Sequence, residues 1–290
     1  MKKRAFFYII FAGILWGTSV IFVNLLAPLG FSSLQMTFAR ALVSFICIFT
    51  YAMVKDRSIF KVTKKQLALN VAAGASFFVT ATSYYFAMQE TSPSTAVVLM
   101  YLAPIIVLAY SVLFLGEKLT GLKSLSIMAM LAGCAFVSGA CSGLVFKPLG
   151  LAFGFLSGIS YALYNIFAKI STKNECKPIT ITLYCFMTAT VISFFTSDAF
   201  AMSAIMEGNA LLCIALLVLM GICTCVMPYF LYNLGMKELP AGTATALGIV
   251  EPMSATVLSV VIFGERLEFF PLIGIILILA STIVLSKSDN

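Results

Sequence analysis

Apolar stretches of helical length, broken by short clusters of charged and turn-forming residues, run through the whole chain. A helix needs about 20 apolar residues to cross a bilayer. A spanning strand would instead alternate polar and apolar positions, and these runs are continuously apolar. The pattern predicts ten helices, at residues 6–28, 33–54, 67–88, 93–115, 123–140, 148–169, 179–197, 209–233, 239–263 and 269–286. The punctuation between them includes KDRSIFKVTKKQ at 55–66, GEKLTG at 116–121, KISTKNECKP at 169–178 and GERLE at 264–268.

The pattern occurs twice. Residues 91–119, TSPSTAVVLMYLAPIIVLAYSVLFLGEKL, return as LPAGTATALGIVEPMSATVLSVVIFGERL at 239–267, with Pro104 on Pro252, Gly116-Glu117 on Gly264-Glu265 and Glu90 on Glu238. From 88 to 119 against 236 to 267, 11 of 32 positions are identical. Each copy reads as a membrane helix interrupted by proline and ended by glycine. The first helices repeat as well: Gly13, Gly17, Ser19 and Asn24 match Gly154, Gly158, Ser160 and Asn165. Two five-helix repeats, at 1–140 and 148–286, are therefore expected. Five is odd, so the repeats enter the membrane in opposite directions, an arrangement used for alternating access.

Composition agrees. The 290 residues are 61% hydrophobic and 10% charged, with mean hydropathy +1.07, which excludes a polar-surfaced soluble fold. The expected fold is an all-α integral membrane protein. The opening MKKRAFFYIIFAGILWG has the parts of a signal peptide, but its apolar run continues to about Leu29 and has a counterpart in the second repeat, so a retained first helix is expected. Without transit-peptide composition, the expected location is a bacterial inner membrane.

The net charge of +7 is explained by orientation, not by nucleic acid. With an inner amino terminus and ten alternating helices, fifteen basic residues collect inside, Lys2, Lys64, Lys123, Lys169, Lys173 and Lys287 among them, and only Lys147 and Arg266 outside. Both termini are then cytoplasmic. Most of the eight cysteines lie within apolar runs, no zinc spacing occurs and histidine is absent, so neither a metal nor a cofactor is expected.

Glu251 is the one of 11 acidic residues well inside a predicted span; the others, Asp289 in the tail included, sit at span ends or in loops. A carboxylate at that depth costs about 2.5–3.5 kcal/mol unless it faces a wet cavity, is protonated or has a partner. Pro252 cannot donate to the Gly248 carbonyl, which is expected to leave a bare acceptor beside it. Glu251 reads as a substrate or coupling group, or as a structural carboxyl. Arg40 is the only basic residue deep within a span; it can bind an anionic group, pair with Glu251 or snorkel to the headgroups. Trp16, Thr80, Tyr84, Tyr101, Tyr161, Asn165, Tyr229 and Tyr232 supply polar tips and aromatic surface within the spans, suited either to a small amphipathic ligand or to interhelical packing. Pro104 and Pro252 are candidate gating points with Glu251 and Arg40. The Gly-Glu caps read mainly as structural helix ends, with gating as a lesser alternative.

On the paired LAP…LGEKL and VEP…FGERL segments, with GILWG at 13–17 and FARAL at 38–42, the chain resembles the EamA family of the drug/metabolite transporter superfamily over nearly its whole length. The resemblance implies a central cavity lined mainly by helices one, three, four, six, eight and nine, and export or exchange of small metabolites, often amino acids. It places Glu251-Pro252 on the family's frequent Glu-Pro of helix nine and Arg40 on its helix-two arginine. The expected partners are a small-molecule substrate and the lipid bilayer. Multidrug or cation efflux by the same fold is the alternative. A membrane enzyme acting on a lipid-linked substrate would need clustered carboxylates or histidines, and a channel a charged ring or carbonyl filter; neither pattern is found.

Overall fold

The computed structural model describes residues 2–140 and 147–288. Met1, Asp289 and the side chain of Lys287, which the sequence reading used, lie outside the described residues. Among the described residues the regular structure is entirely helical. In chain order the helices are α1 (Lys2–Leu29), α2 (Ser33–Val54), α3 (Lys64–Glu90), α4 (Pro93–Phe114), α5 (Gly121–Val137), α6 (Pro148–Lys173), α7 (Pro178–Phe194), α8 (Ala210–Met236), α9 (Ala241–Phe263) and α10 (Phe269–Ser288). Eight of them are long and apolar enough to cross a membrane. The exceptions are α5 and α7, each 17 residues, or about 26 Å at 1.5 Å per residue. A bend of 86° separates α7 from the short helical run Ala199–Ile205.

The helix starts follow from local chemistry. Ser32 and Thr63 form capping boxes with Gln35 and Gln66, satisfying first-turn donors on α2 and α3. Prolines 93, 148 and 178 occupy first positions, where their missing N–H is no loss. Gly116 and Gly264 take positive φ, 71° and 69°, just past α4 and α9, so the repeated Gly-Glu motifs do end their helices through glycine.

Both proline helices are broken just before their proline, one residue earlier in α9 than in α4. In α4 the helix Pro93–Met100 stops at Tyr101-Leu102 and resumes at Ala103. In α9, Ala241–Leu247 stops at Gly248-Ile249 and resumes at Val250. A third irregularity, a π-turn at Ile222–Val226, precedes Pro228 in α8.

Helix contacts are reciprocal between the chain's two parts. α1 packs on α8 and α9, as α6 packs on α3 and α4; α2 meets α7, and α5 meets α10. Glycines permit these approaches. A methyl added at Gly17 would lie 2.8 Å from the Ala255 nitrogen of α9, and one at Gly158 2.6 Å from the Leu99 carbonyl oxygen of α4. The expected small-residue faces of the first and sixth helices are thus the crossings onto the broken helices.

One end of the bundle gathers the basic residues. Lys177 pairs with Asp56 at 2.9 Å, and Gln66 donates to the Asn174 carbonyl. Lys173 donates to the Leu115 carbonyl that ends α4, and Lys169 donates to the Met236 and Leu239 carbonyls, both at 2.6 Å. At the other end Gln35 donates to the Asp198 carbonyl and Ser94 to the Ser138 carbonyl.

Candidate functional site

The breaks in α4 and α9 bring unlike chemistry together. Tyr101, at the α4 break, donates its hydroxyl at 2.8 Å to Oε2 of Glu251, two residues past the α9 break. Glu251 therefore has a fixed orientation. Its own backbone N–H donates to the Gly248 carbonyl at 2.9 Å. This corrects the expectation of a bare acceptor there: the break closes in three-residue turns, so the carbonyl that Pro252 cannot satisfy is taken by Glu251.

Glu251 and Tyr101 lie at the wall of a cavity of about 500 Å³. Trp16 and Ser19 of α1, Arg40 of α2, Phe77, Thr80 and Tyr84 of α3, Tyr161 of α6 and Tyr229 of α8 line it too. Its lining draws on the helices named by the family resemblance and adds α2 and the end of α5 at Val137 and Ser138. Its wall reaches the less basic end of the bundle at Val23 and Pro93, both exposed. Toward the basic end the unbroken buried stretch Ala241–Val250 closes it. Such a volume fits a small organic molecule.

Arg40 and Glu251 are the cavity's only ionisable cation and carboxylate among the described lining residues. No ion pair joins them there. The Arg40 guanidinium carbon sits 5.4 Å from the centre of the Phe77 ring, a cation–π contact of about 0.5–2 kcal/mol. Its Nε is buried without an acceptor, as is Trp16 Nε1. Trp16 is wedged edge-on against Tyr229, centroids 5.1 Å apart, and beside Tyr232 at 5.2 Å. Two residues with an unused donor thus line the cavity, and a potential acceptor, Glu251, is in the same wall.

Not every candidate residue is brought there. Asn165 and Tyr232 lie behind the wall, fully buried and bonded to each other. Asn165 also donates to the Tyr161 carbonyl at 2.7 Å, and Tyr232 is 3.5 Å from the Thr245 hydroxyl. Pro104 is buried two residues past the α4 break and does not line the cavity. Sequence reading passed over Ser33, Thr37, Thr224 and Thr256 and the methionines Met36, Met88, Met100 and Met220 in the lining; short hydroxyl and thioether side chains on an apolar helix carry no signal that separates a cavity from a helix contact.

The Gly-Glu cap of α4 also makes contacts across the bundle. Glu117 is not only a helix end: its buried carboxylate pairs with buried Lys123 at 3.1 Å and accepts the Gly242 N–H of α9 at 3.3 Å.

Comparison with known proteins places this arrangement. An uncharacterized transporter of Archaeoglobus fulgidus is 29% identical over 95% of this chain and 94% of its own length. An uncharacterized inner membrane transporter, YicL, of Salmonella typhimurium is 22% identical over 99% of this chain and 97% of its own. One solved crystal structure, 19% identical, shares the fold with a TM-score of 0.83 over 100% of this chain and 98% of that one. The model of the EamA-like transporter family matches twice, at residues 3–139 and 148–287. With its paired broken helices and the cavity between them, the chain belongs to the EamA-like transporter family, and it is a membrane transporter of many helices.

Proposed function

We propose that this protein is a secondary transporter that exports or exchanges small amphipathic metabolites, amino acids or close relatives, across a bacterial inner membrane by alternating access. In this reading all ten helices cross the bilayer, α5 and α7 as short crossings. Residues 1–140 and 148–286 form two inverted five-helix repeats. The reciprocal contacts support a two-fold relation: α1 with α8 and α9 answers α6 with α3 and α4, and α2 and α5 meet their own counterparts. The basic end faces the cytoplasm, with both termini.

The observation that carries the cargo reading is the placing of Arg40 and Glu251 in one aromatic-walled cavity without an ion pair between them. Arg40 and the Trp16 N–H suit a carboxylate, Glu251 suits an ammonium or a coupling proton, and the rings of Phe77, Tyr84 and Tyr229 suit an apolar side chain. Pro252 supports gating with Glu251 at the break, and Pro104 at its counterpart. Asn165 and Tyr232 serve the site by holding the Tyr161 backbone from behind.

Counterflow of labelled amino acids into proteoliposomes tests the reading. Exchange should be saturable and should fall at least tenfold in Arg40→Gln, from the worth of a charge-assisted hydrogen bond. An Arg40→Gln protein that keeps full amino-acid exchange would count against it. A second reading, efflux of organic cations, is favoured by Glu251 among aromatic faces; cation counterflow that needs Glu251 and ignores Arg40 would select it.

A further inference from the structure

The repeat makes a prediction about the two ends of the bundle. At the basic end, α9's first segment, Ala241–Leu247, packs on α4's second segment, Ala103–Phe114. Glu117, just past α4, reaches across to the Gly242 N–H at the start of α9. The approach is tight: a methyl at Gly242 would lie 3.0 Å from Leu108 Cδ1 and 3.2 Å from Glu117 Oε2. In the repeat alignment Glu117 corresponds to Glu265 and Gly242 to Ser94. The corresponding segments at the other end are Pro93–Met100 of α4 and Val250–Phe263 of α9. Those segments do not close on each other. The cavity runs between them, lined by Pro93, Val97 and Met100 on one side and by Pro252, Ala255 and Thr256 on the other. Glu265 is exposed there, where Glu117 is buried.

Pseudo-equivalent contacts are therefore made at one end and open at the other. An inverted repeat requires the opposite choice in its other conformer, with the same kinds of group meeting. We propose that Glu117 and Glu265 are alternating latches: Glu117 holds the basic end shut on the first turn of α9, and Glu265 takes the matching hold on the first turn of α4, at Ser94, when the cavity closes at its present mouth. The proposal rests on the inverted-repeat, alternating-access reading above. First-turn N–H groups have no acceptor within their own helix, and a carboxylate there also meets the positive end of the helix dipole. The latches differ in strength, since Glu117 has Lys123 beside it and the position aligned with Lys123 is Pro271. The conformer closed at the basic end is the better held.

The test places a reporter cysteine at each end: Ala244→Cys, fully buried in the basic-end seal, and Thr256→Cys, in the open cavity. Each is labelled with a membrane-impermeant maleimide in inside-out and right-side-out vesicles. Glu117→Gln should raise Ala244→Cys labelling from the basic side about tenfold and lower Thr256→Cys labelling from the other, the shift expected for loss of one charged hydrogen bond. Glu265→Gln should do the reverse. Because Glu117→Gln leaves Lys123 buried without its carboxylate, the double variant Glu117→Gln/Lys123→Met is run beside it and should shift labelling the same way. If Glu265→Gln leaves both reporters unchanged, or if neither Glu117 variant moves Ala244→Cys, the latch pair is overturned while alternating access stands. If Ala244→Cys is never labelled from the basic side in any variant, although cargo crosses, the alternating-access reading itself fails.

Discussion

At the scale of single residues, two groups have consequences that can be measured outside the transport cycle. Asp56, in the exposed loop between α2 and α3, accepts from the Ser58 hydroxyl and pairs with Lys177; these hold its pKa down, to about 2. The sign follows: a depressed carboxylate stabilises the fold fully above its unfolded value near 4 and loses that contribution as pH falls toward 2. The melting temperature of Asp56→Asn should therefore lie below the parent's at pH 6 and converge on it only as pH falls below about 2. Gly17 has no room for a side chain: a methyl would sit 2.5 Å from Ser254 Cβ and 2.8 Å from the Ala255 nitrogen. Gly17→Ala should cost about 1–3 kcal/mol, seen as a lower melting temperature in detergent, whereas Gly121→Ala, with open space around it, should change stability little.

At the scale of helices, hydropathy located the eight helices long and apolar enough to cross a membrane, and the twin prolines located the breaks. The glycine spacing at 13, 17, 154 and 158 correctly marked close helix contacts. What the pattern did not carry is which groups satisfy one another across the bundle. Lys123 and Lys169 look like loop charges at span ends, yet both are buried, one on Glu117 and the other on the carbonyls of Met236, which ends α8, and of Leu239 just beyond it. The partner of Lys123 is only six residues away, across the loop from α4 to α5, but those of Lys169 are 67 and 70 residues away and meet it only in three dimensions. Asn165 and Tyr161 share a helix face, but only Tyr161 reaches the cavity. Periodicity gives a face and not the depth of the groups packed on it. The buried pair yields a prediction at this scale: Lys123→Met should destabilise by about 3–5 kcal/mol by stranding Glu117, and pairing it with Glu117→Gln should recover much of the melting temperature.

At the scale of the whole molecule, the protein is a bundle closed at its basic end and hollow toward the other, with one cation and one carboxylate among the described residues of the hollow. Its orientation is checked by fusing a reporter active only in the cytoplasm to either terminus; both fusions should be active if the basic end is inside. The central claim is that cargo binds between Arg40 and Glu251. The most direct test is the thermal stability of the purified protein against amino acids, nucleosides, vitamins and organic cations, with Glu251→Gln and Arg40→Gln run alongside, since a ligand that binds the folded state raises its melting temperature. The account predicts an amino acid or close relative that stabilises the parent and loses most of that effect in both variants. A ligand that stabilises the parent and both variants equally would place cargo elsewhere and contradict it.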